Sequence, residues 1–218
     1  SRVVNGLVHS WIGGGGGRID YSHDALSPGS WTNGAVPADA TGSILDIWFE
    51  PSGVIGYACG RGGRILKSVN GGATWDWFGS IVLDNNNDPA TLWGVRPITV
   101  DGQGMYVTGL WCLRYTWDGG ASWKDIEVYD KHPSKGGVLI PQMQLEAFKL
   151  DLIRTHEGLI AAVGAEYEDP NAPPHPPWPN LPPDPMLPYG GVIIQTDTRD
   201  PASVMGTHWW VSTLYLDH

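Results

Sequence analysis

The chain has 218 residues, a formal net charge of −10 and a sequence pI near 4.9, with 41% hydrophobic and 17% charged residues. This length and apolar content suffice for one compact domain spanning residues 1–218. The acidic surface repels phosphate backbones, which excludes nucleic acid as a partner. No apolar run approaches the length of a transmembrane helix, so we expect a chain that does not span a membrane.

The N-terminal segment is predicted to form the first unit of β-structure. Its predicted elements are a turn at 4–6, a strand over 7–12, a glycine run over 13–17 and a strand over 18–21. The glycine run has no following helix and therefore does not resemble a phosphate-binding loop. Compared with the later units, this first unit lacks an innermost strand.

Three later segments repeat the order strand, glycine-containing turn, strand. The first strands are predicted over 44–49, 94–100 and 147–153, and the second strands over 54–60, 105–108 and 159–164. Third strands follow in two of these units, over 64–67 and 112–115. Strands separated by Gly, Asn, Asp and Pro turns at regular spacing predict an all-β protein. A long period with four strands per unit favours a β-propeller.

Two polar turns, 68–75 and 116–123, share the pattern Ser/Thr-x-Asp/Asn-x-Gly-x-x-Trp and begin 48 residues apart. The matching residues are Ser68, Asn70, Gly72 and Trp75 in the first turn and Thr116, Asp118, Gly120 and Trp123 in the second. The Asp or Asn accepts backbone N–H groups within the turn, and the glycine supplies a positive φ. The closing Trp is expected to pack on the layer below and to need a partner for its indole N–H. A weaker copy comprises Ser22, Asp24 and Trp31.

This pattern resembles the Asp-box of BNR-repeat β-propellers such as sialidases, sortilin-like receptors, photosystem II assembly factors and some xyloglucan-cleaving endoglucanases. The resemblance implies that each box lies on the hairpin joining the two outer strands of a blade, opposite the ligand face, and stabilises the fold. We therefore expect a small propeller of about four blades, with a C-terminal strand over 211–216 completing the first blade. The alternative is a fragment of a larger propeller.

The long loops carry the aromatic residues that we expect to bind a partner. One of these loops is a proline-rich insertion at about 167–189, which is predicted to be extended because proline cannot join a sheet interior. Rings beside Asp and Asn hold sugars or flat protein surfaces; alternatively, they fix the loops to the sheets. The candidate binding residues are Trp77, Phe78, Trp93, Tyr129, Trp178 and Tyr189.

Asp46 and Asp151 are the weak catalytic candidates. Each stands seven residues before the turn glycine of its unit, so both are expected at one register of the innermost strand. Glycoside cleavage needs two carboxyl groups at a defined separation. The alternative is that each acid forms hydrogen bonds to neighbouring backbone. No arginine lies in the Phe-Arg-Ile-Pro motif of sialidases, so no sialidase residue is transferred to this chain.

Asp84, Asn86 and Asp88 alternate like the opening of a calcium loop. Pro89 then replaces the glycine that such a loop needs, so a plain polar turn and a calcium site remain alternatives. No other metal or cofactor is expected. The two cysteines, Cys59 and Cys112, are expected to be buried thiols, with a disulfide between neighbouring blades as the alternative.

These patterns favour a non-catalytic binding or assembly module. It would use a loop-rich propeller face to dock to a protein assembly, such as a virion or another large complex, or to a glycan. A glycoside hydrolase that uses channel carboxylates is the alternative. Because Asp-box proteins are mostly extracytoplasmic, the resemblance implies that location for this chain.

Overall fold

The computed structural model describes residues 1–99, 101–129, 133–140, 145–154, 159–167, 191–197 and 207–212. The secondary structure there consists of strands and two short 3-10 turns, Gly15–Gly17 and Pro133–Lys135. No helix in these ranges has the length and hydropathy needed to cross a membrane. The chain divides into two compact units, Ser1–Ile126 and Glu127–His218.

The first unit contains three four-stranded antiparallel sheets, each formed by consecutive strands. Sheet 1 consists of β1 (Arg2–Val4), β2 (Leu7–Gly13), β3 (Ile19–Ser22) and β4 (Thr32–Asn33). Sheet 2 consists of β5 (Ile44–Phe49), β6 (Gly56–Gly60), β7 (Ile65–Ser68) and β8 (Asp76–Phe78). Sheet 3 consists of β9 (Leu92–Pro97), β10 (Met105–Gly109), β11 (Cys112–Thr116) and β12 (Lys124–Asp125). These meanders confirm the predicted all-β fold.

The core of this unit lies between successive sheets. The second strands β6 and β10 are buried along their whole length, which suits their small and apolar residues. Between sheets 1 and 2, the ring of Phe49 stacks on Trp11 at 3.8 Å and meets Trp75 edge-on at 5.6 Å. Between sheets 2 and 3, a cluster that includes Tyr57 and Val107 fills the interior. Each sheet therefore buries its apolar face against the next sheet.

The segment that leaves one sheet packs on the polar turn of the next sheet, and it does so twice. Ala35 follows sheet 1, and its carbonyl accepts the N–H of Trp75 at 2.8 Å. Ser80 follows sheet 2, and its N–H donates to the Gly120 carbonyl at 2.7 Å. A glycine precedes each contact, and a Cβ on Gly34 or Gly79 would lie about 2.5 or 2.6 Å from a turn carbonyl oxygen. The close approach of the two backbones requires glycine there.

The N-terminus differs from the expectation. Sheet 1 has its own first strand, β1, which pairs with β2 in the register Val4↔Leu7. The residues between them, Asn5 and Gly6, both have positive φ, at 51° and 81°. Asn-Gly in this conformation forms a two-residue hairpin whose twist matches that of the strands. The prediction that the first unit lacks an innermost strand is therefore wrong.

The second unit contains sheet 4. Its strands are β13 (Glu127–Tyr129), β14 (Leu139–Ile140), β15 (Leu145–Arg154), β16 (Leu159–Tyr167), β17 (Gly191–Asp197) and β18 (His208–Ser212). They lie in the order β14-β13-β18-β17-β16-β15, and β13 is parallel to β18. This sheet therefore has six strands rather than four.

The C-terminal strand also lies in sheet 4. Within the predicted strand over 211–216, residues 211–212 end β18, which pairs with β17 through Ile194↔Val211. The described part of that strand therefore does not complete the first sheet, whose position is already filled by β1. Residues 213–216 lie outside the described residues, as does the proline-rich insertion from residue 168 onwards.

Candidate functional site

The two repeated polar turns share one set of hydrogen bonds. In the first turn, the Ser68 hydroxyl accepts the N–H of Gly72 at 2.9 Å. In the second turn, the Thr116 hydroxyl accepts the N–H of Gly120 at 3.0 Å. The side chains of Asn70 and Asp118 each accept an N–H four residues later in the chain. Each turn therefore satisfies its backbone donors with its own side chains.

The three closing tryptophans differ in burial. Trp75 is 2% exposed, and its indole N–H donates to the Gly72 carbonyl at 3.0 Å. Trp123 is partly buried and donates to the Ser80 carbonyl at 3.3 Å. Trp31 is 39% exposed, so it is the least buried of the three rings. The turn that ends at Trp31 is longer than the two repeated turns. Its Ser22 hydroxyl donates to the Ser30 hydroxyl at 2.8 Å, just before Trp31.

Asp46 lies on β5 and forms a buried ion pair with Arg96 on β9. The carboxylate is 2.5 Å from the guanidinium and also accepts the N–H of Val95 at 3.2 Å. Asp46 is only 6% exposed, and the same guanidinium donates to the Val95 carbonyl at 2.6 Å. The arrangement links sheets 2 and 3.

Asp151, the second catalytic candidate, belongs to the other unit. It lies on β15, it is exposed, and its carboxylate accepts the N–H of the next residue, Leu152, at 2.8 Å. Its register partner on β16 is Ala162, whereas Asp46 pairs with Cys59 on β6. Both acids therefore lie on the first long strand of their sheets, but one is buried in an ion pair and the other faces solvent.

The segment proposed as a calcium loop is a turn closed by Asp84. Its carboxylate accepts the N–H of Asn86 at 2.8 Å and that of Asp88 at 3.1 Å. Asn87, between them, has a φ of 62°. Within the described ranges no group of three or more His, Cys, Asp or Glu side chains could hold a metal ion. Carboxylate oxygens that bind turn N–H groups act here as turn caps.

Trp77 and Phe78 are neighbours on β8 but have different surroundings. The indole N–H of Trp77 donates to the Asp39 carboxylate at 3.0 Å. The ring of Phe78 meets Tyr57 edge-on at 5.3 Å and packs against the core cluster between sheets 2 and 3. Trp77 is likewise partly buried and packs against the core cluster that includes Phe49 and Trp75, so both rings contribute to core packing.

The other aromatic candidates are distributed over both units. Trp93, on β9, is partly buried. Tyr129, on β13, donates its hydroxyl to Glu127 at 2.7 Å and stacks on His208 at 5.7 Å. This hydrogen bond to a carboxylate is the main cause that raises the pKa of the Tyr129 hydroxyl, and burial adds to it. Trp178 and Tyr189 lie outside the described residues.

Two arginines that sequence reasoning did not select flank Trp77. Arg61 and Arg64 lie on the β6–β7 hairpin and are exposed, and no ion pair among the described residues involves either one. The Arg64 guanidinium lies 4.7 Å from the centre of the Trp77 ring. Together with Ala40 and residues 42–44 they line a shallow hollow of about 20 Å³. The sequence feature that could have identified these two arginines is their position on either side of Gly62 and Gly63 in a predicted hairpin.

The next hairpin presents Trp111. It joins β10 to β11 through two residues, and Trp111 has a φ of 50° while remaining 37% exposed. The corresponding hairpin of sheet 2 has Gly62 and Gly63 at positive φ. A bulky residue in this conformation costs on the order of 1–3 kcal/mol. We call the end of sheets 2 and 3 that carries Arg61, Arg64, Trp77 and Trp111 the hairpin end.

Comparisons with known proteins bear on the fold. No protein-family model matches the chain, and no curated protein matches it. Among solved structures, the crystal structure of an ancestral GH74 enzyme matches over 100% of this chain and 25% of that chain, with a TM-score of 0.56 and 14% identity. That enzyme is a β-propeller. The fold of this chain is a β-propeller fold. At this identity the likeness shows the fold alone.

Two structures of YCF48 match the propeller less well. YCF48 bound to a D1 peptide matches over 75% of this chain and 49% of its own, with a TM-score of 0.45 and 15% identity. YCF48 from Cyanidioschyzon merolae matches over 76% and 47%, with a TM-score of 0.44 and 17% identity. The propeller chain thus spans about half the length of these proteins and a quarter of the GH74 enzyme.

The two cysteines of the propeller lie in the core between sheets 2 and 3. Both are free thiols and buried, and both belong to the cluster around Tyr57. The Cys59 thiol donates to the Leu92 carbonyl at 3.7 Å. Burial raises the pKa of the Cys112 thiol to about 12. A protonated thiol in an apolar core is a packing residue rather than a nucleophile.

Proposed function

We propose that this chain is a non-catalytic binding module that docks to a protein assembly through its hairpin end. The single observation that carries the proposal is the pair of exposed arginines, Arg61 and Arg64, beside the partly buried ring of Trp77. Arginine and tryptophan are the residues most enriched at the energetic centres of protein interfaces. Here two arginines without ion-pair partners among the described residues flank an indole whose orientation is fixed by Asp39.

The charge of the chain supports this choice of surface. The net charge is −10, so most of the surface repels an acidic partner. A pair of exposed arginines in such a chain selects the orientation in which a partner's carboxylates approach. The strained, exposed Trp111 on the neighbouring hairpin extends the same end with a second aromatic group.

We further propose that the repeated turns are Asp-boxes with a structural role. Their side chains are occupied by the hydrogen bonds of the turn itself, and the segment leaving the previous sheet packs on them. We also propose that the chain acts outside the cytoplasm, which is the location that the resemblance implies. We propose further that it needs no cofactor.

Glycoside hydrolysis is less well supported because of the surroundings of Asp46. A general acid or nucleophile must reach the substrate, but this carboxylate is buried and bound to Arg96 at 2.5 Å. A polysaccharide-hydrolysis screen tests this alternative directly. Turnover that is abolished by Asp46→Asn would contradict the non-catalytic proposal.

The docking proposal is tested by immobilising this protein and exposing it to assemblies from its native host. Wild type, Arg61→Glu/Arg64→Glu and Trp77→Ala are incubated with the host's large assemblies, and the retained proteins are quantified by mass spectrometry. Trp31→Ala is the matched control, because Trp31 is an exposed tryptophan away from the hairpin end. We expect one set of proteins to be lost from both hairpin-end variants and kept by the control. Identical retention by all four proteins would refute docking through this end.

A further inference from the structure

A second candidate site lies at the opposite end of β11 from Trp111. It is an open hollow of about 150 Å³ beside the second repeated turn. Its lining residues are Tyr115, Thr116, Trp117, Asp118, Ser122 and Lys124. Two aromatic rings, a carboxylate, the hydroxyls of Thr116 and Ser122 and an ammonium group thus surround a space comparable to a single small ring. Thr116, Asp118 and Ser122 belong to the hydrogen bonds of the turn, whereas neither the turn nor the hairpin-end proposal requires Trp117 or Lys124 beside them.

Trp117 supplies a fixed aromatic surface in this hollow. It occupies the variable second position of the turn, where the other turns have His23 and Val69. Its ring packs so tightly against Gly104 that a Cβ there would overlap with two ring atoms and would lie 3.1 Å from Ile98. The ring nevertheless remains 44% exposed. One side is therefore held by the β9–β10 loop while another is open to a ligand.

The polar residues of the hollow are also fixed in place. The Asp118 carboxylate accepts the Thr116 hydroxyl at 2.6 Å and the Ser122 hydroxyl at 2.6 Å. These hydrogen bonds, that of Ser122 first, lower the pKa of Asp118 to about 2, so the group is an acceptor at neutral pH. The carboxylate also accepts the Ser122 N–H at 3.0 Å, so three of the about four hydrogen bonds that its oxygens can accept are made within the turn and one remains for a ligand hydroxyl. Lys124 is exposed at the rim and provides donors.

We propose that this hollow binds one pyranose unit of a neutral polysaccharide. The flat C–H face of a pyranose stacks on an indole, and its ring hydroxyls suit adjacent fixed acceptors and donors. Asp118 and Lys124 carry opposite charges, so the hollow has no net charge that would select an anion or a cation. An apolar ring without hydroxyls would leave both charged groups desolvated and unpaired. The site is independent of the hairpin end.

Isothermal titration with a panel of neutral oligosaccharides tests the proposal. The panel comprises cellotetraose, laminaritetraose, xylotetraose and mannotetraose, with sorbitol as an acyclic polyol control. We expect saturable binding of at least one tetraose and none of sorbitol. Trp117→Ala should weaken binding by about tenfold or more, because it removes the stacking surface.

Two further variants separate binding from folding. Gly104→Ala keeps every contacting side chain but pushes the Trp117 ring out of position, so it should also weaken binding. Lys124→Met keeps the length of an exposed side chain and removes its donors. Trp31→Ala and Arg61→Glu/Arg64→Glu should bind as wild type does. Binding of no tetraose, or undiminished binding by Trp117→Ala and Gly104→Ala, would overturn the proposal.

Discussion

Asn70 and Asp118 occupy the same position of the two repeated turns but differ in charge. The Asn70 amide donates to the Thr74 hydroxyl at 2.9 Å, whereas the Asp118 carboxylate accepts the Ser122 hydroxyl at 2.6 Å. A hydroxyl can take either role, because it is both donor and acceptor. The turn therefore needs a short oxygen-bearing side chain at this position, and the charge is a separate property with its own pH dependence.

Acid should weaken the second turn, and Asp118→Asn should remove that sensitivity. The folded pKa of Asp118, about 2, lies below its ordinary value of 3.8. Its contribution to stability is therefore present above pH 3.8 and is lost as the pH falls towards 2. Thermal melting of wild type and Asp118→Asn between pH 5 and pH 2 measures the difference. We expect similar Tm values at pH 5 and a smaller acid-induced fall in the variant.

Asn70→Asp is the reciprocal control for this measurement. It places a carboxylate in the first turn, where the Ser68 and Thr74 hydroxyls can donate to it. The variant should therefore acquire an additional fall in Tm over the same range. If Asp118→Asn and Asn70→Asp both follow the wild-type profile, the hydrogen bonds of the turns do not control this titration.

The candidate site was only partly predictable at the scale of single residues. Trp77 was found because an aromatic residue in a long loop is informative, but the same reasoning also selected Phe78, which packs in the core. Adjacent strand residues point to opposite faces, and here each face packs on a different core cluster, which the sequence alone does not show. Arg61 and Arg64 were missed because exposed charge on a hairpin is common, and only the structure shows the Trp77 ring beside them.

At the scale of elements, the regular strands were predictable and the chain ends were not. The strand over 44–49 matches β5, because its flanking turns are marked by glycine and proline. The short strand β1 was overlooked, since three residues before an Asn-Gly pair leave little pattern. The parallel pairing of β13 with β18 joins residues about 80 positions apart, and no local pattern specifies such a contact.

The segment that leaves sheet 1 packs on the polar turn 68–75 of sheet 2, and we call this contact region the joint between the two sheets. It depends on the absence of a side chain at Gly34. Its N–H donates to the Ile19 carbonyl at 2.8 Å, and a Cβ would lie 2.5 Å from the Gly72 carbonyl oxygen. The same Cβ would lie 3.1 Å from the indole nitrogen of Trp75. Because backbone atoms cannot move aside cheaply, a methyl group there must separate the segment from the turn.

Gly34→Ala should lower the free energy of unfolding by about 1–3 kcal/mol, the usual cost of forcing extra volume into a packed site. Urea denaturation followed by tryptophan fluorescence gives this value. Gly15→Ala is the matched control, since no heavy atom lies within 4 Å of a Cβ at that position. We expect the control to change stability by less than about 0.5 kcal/mol. Equal effects of the two substitutions would mean that the joint is not tightly packed.

At the scale of the whole propeller unit, sheets 1 and 2 are also joined by two histidines. His9 lies on β2 and His23 directly follows β3 of sheet 1, and both contact turns of sheet 2. The rings of His9 and His23 stack at 4.7 Å. His23 lies 3.2 Å from the Gly71 carbonyl, which also accepts the Trp11 N–H at 2.7 Å. His9 Nδ1 is buried without a hydrogen-bond partner among the described residues and lies under Gly53. A buried ring nitrogen without a partner disfavours a charged His9 ring.

Mild acid should therefore loosen this joint. Burial first, and then the neighbouring His23, lower the pKa of His9 below its ordinary value of 6.5. The unfolded chain consequently binds a proton more readily than the folded one, and this part of the stability is present above pH 6.5 and falls as the pH drops below it. Among the described residues no carboxylate forms an ion pair with either ring. Arg2, opposite His9 in the sheet, donates to the Phe49 carbonyl, and Asp24 accepts the Ser27 hydroxyl.

The free energy of unfolding in urea, measured between pH 7.5 and pH 5, tests this argument. We expect wild type to lose stability across this range and His9→Phe to lose less, because phenylalanine keeps the stacking ring but binds no proton. His208→Phe is the control, since His208 is paired with Glu127 in the second unit and should leave the His9 contribution intact. If the pH dependence of His9→Phe equals that of wild type, protonation of His9 does not govern the joint. If the free energy of unfolding depends less on pH in His9→Phe, and only in that variant, protonation of His9 weakens the contact between sheets 1 and 2.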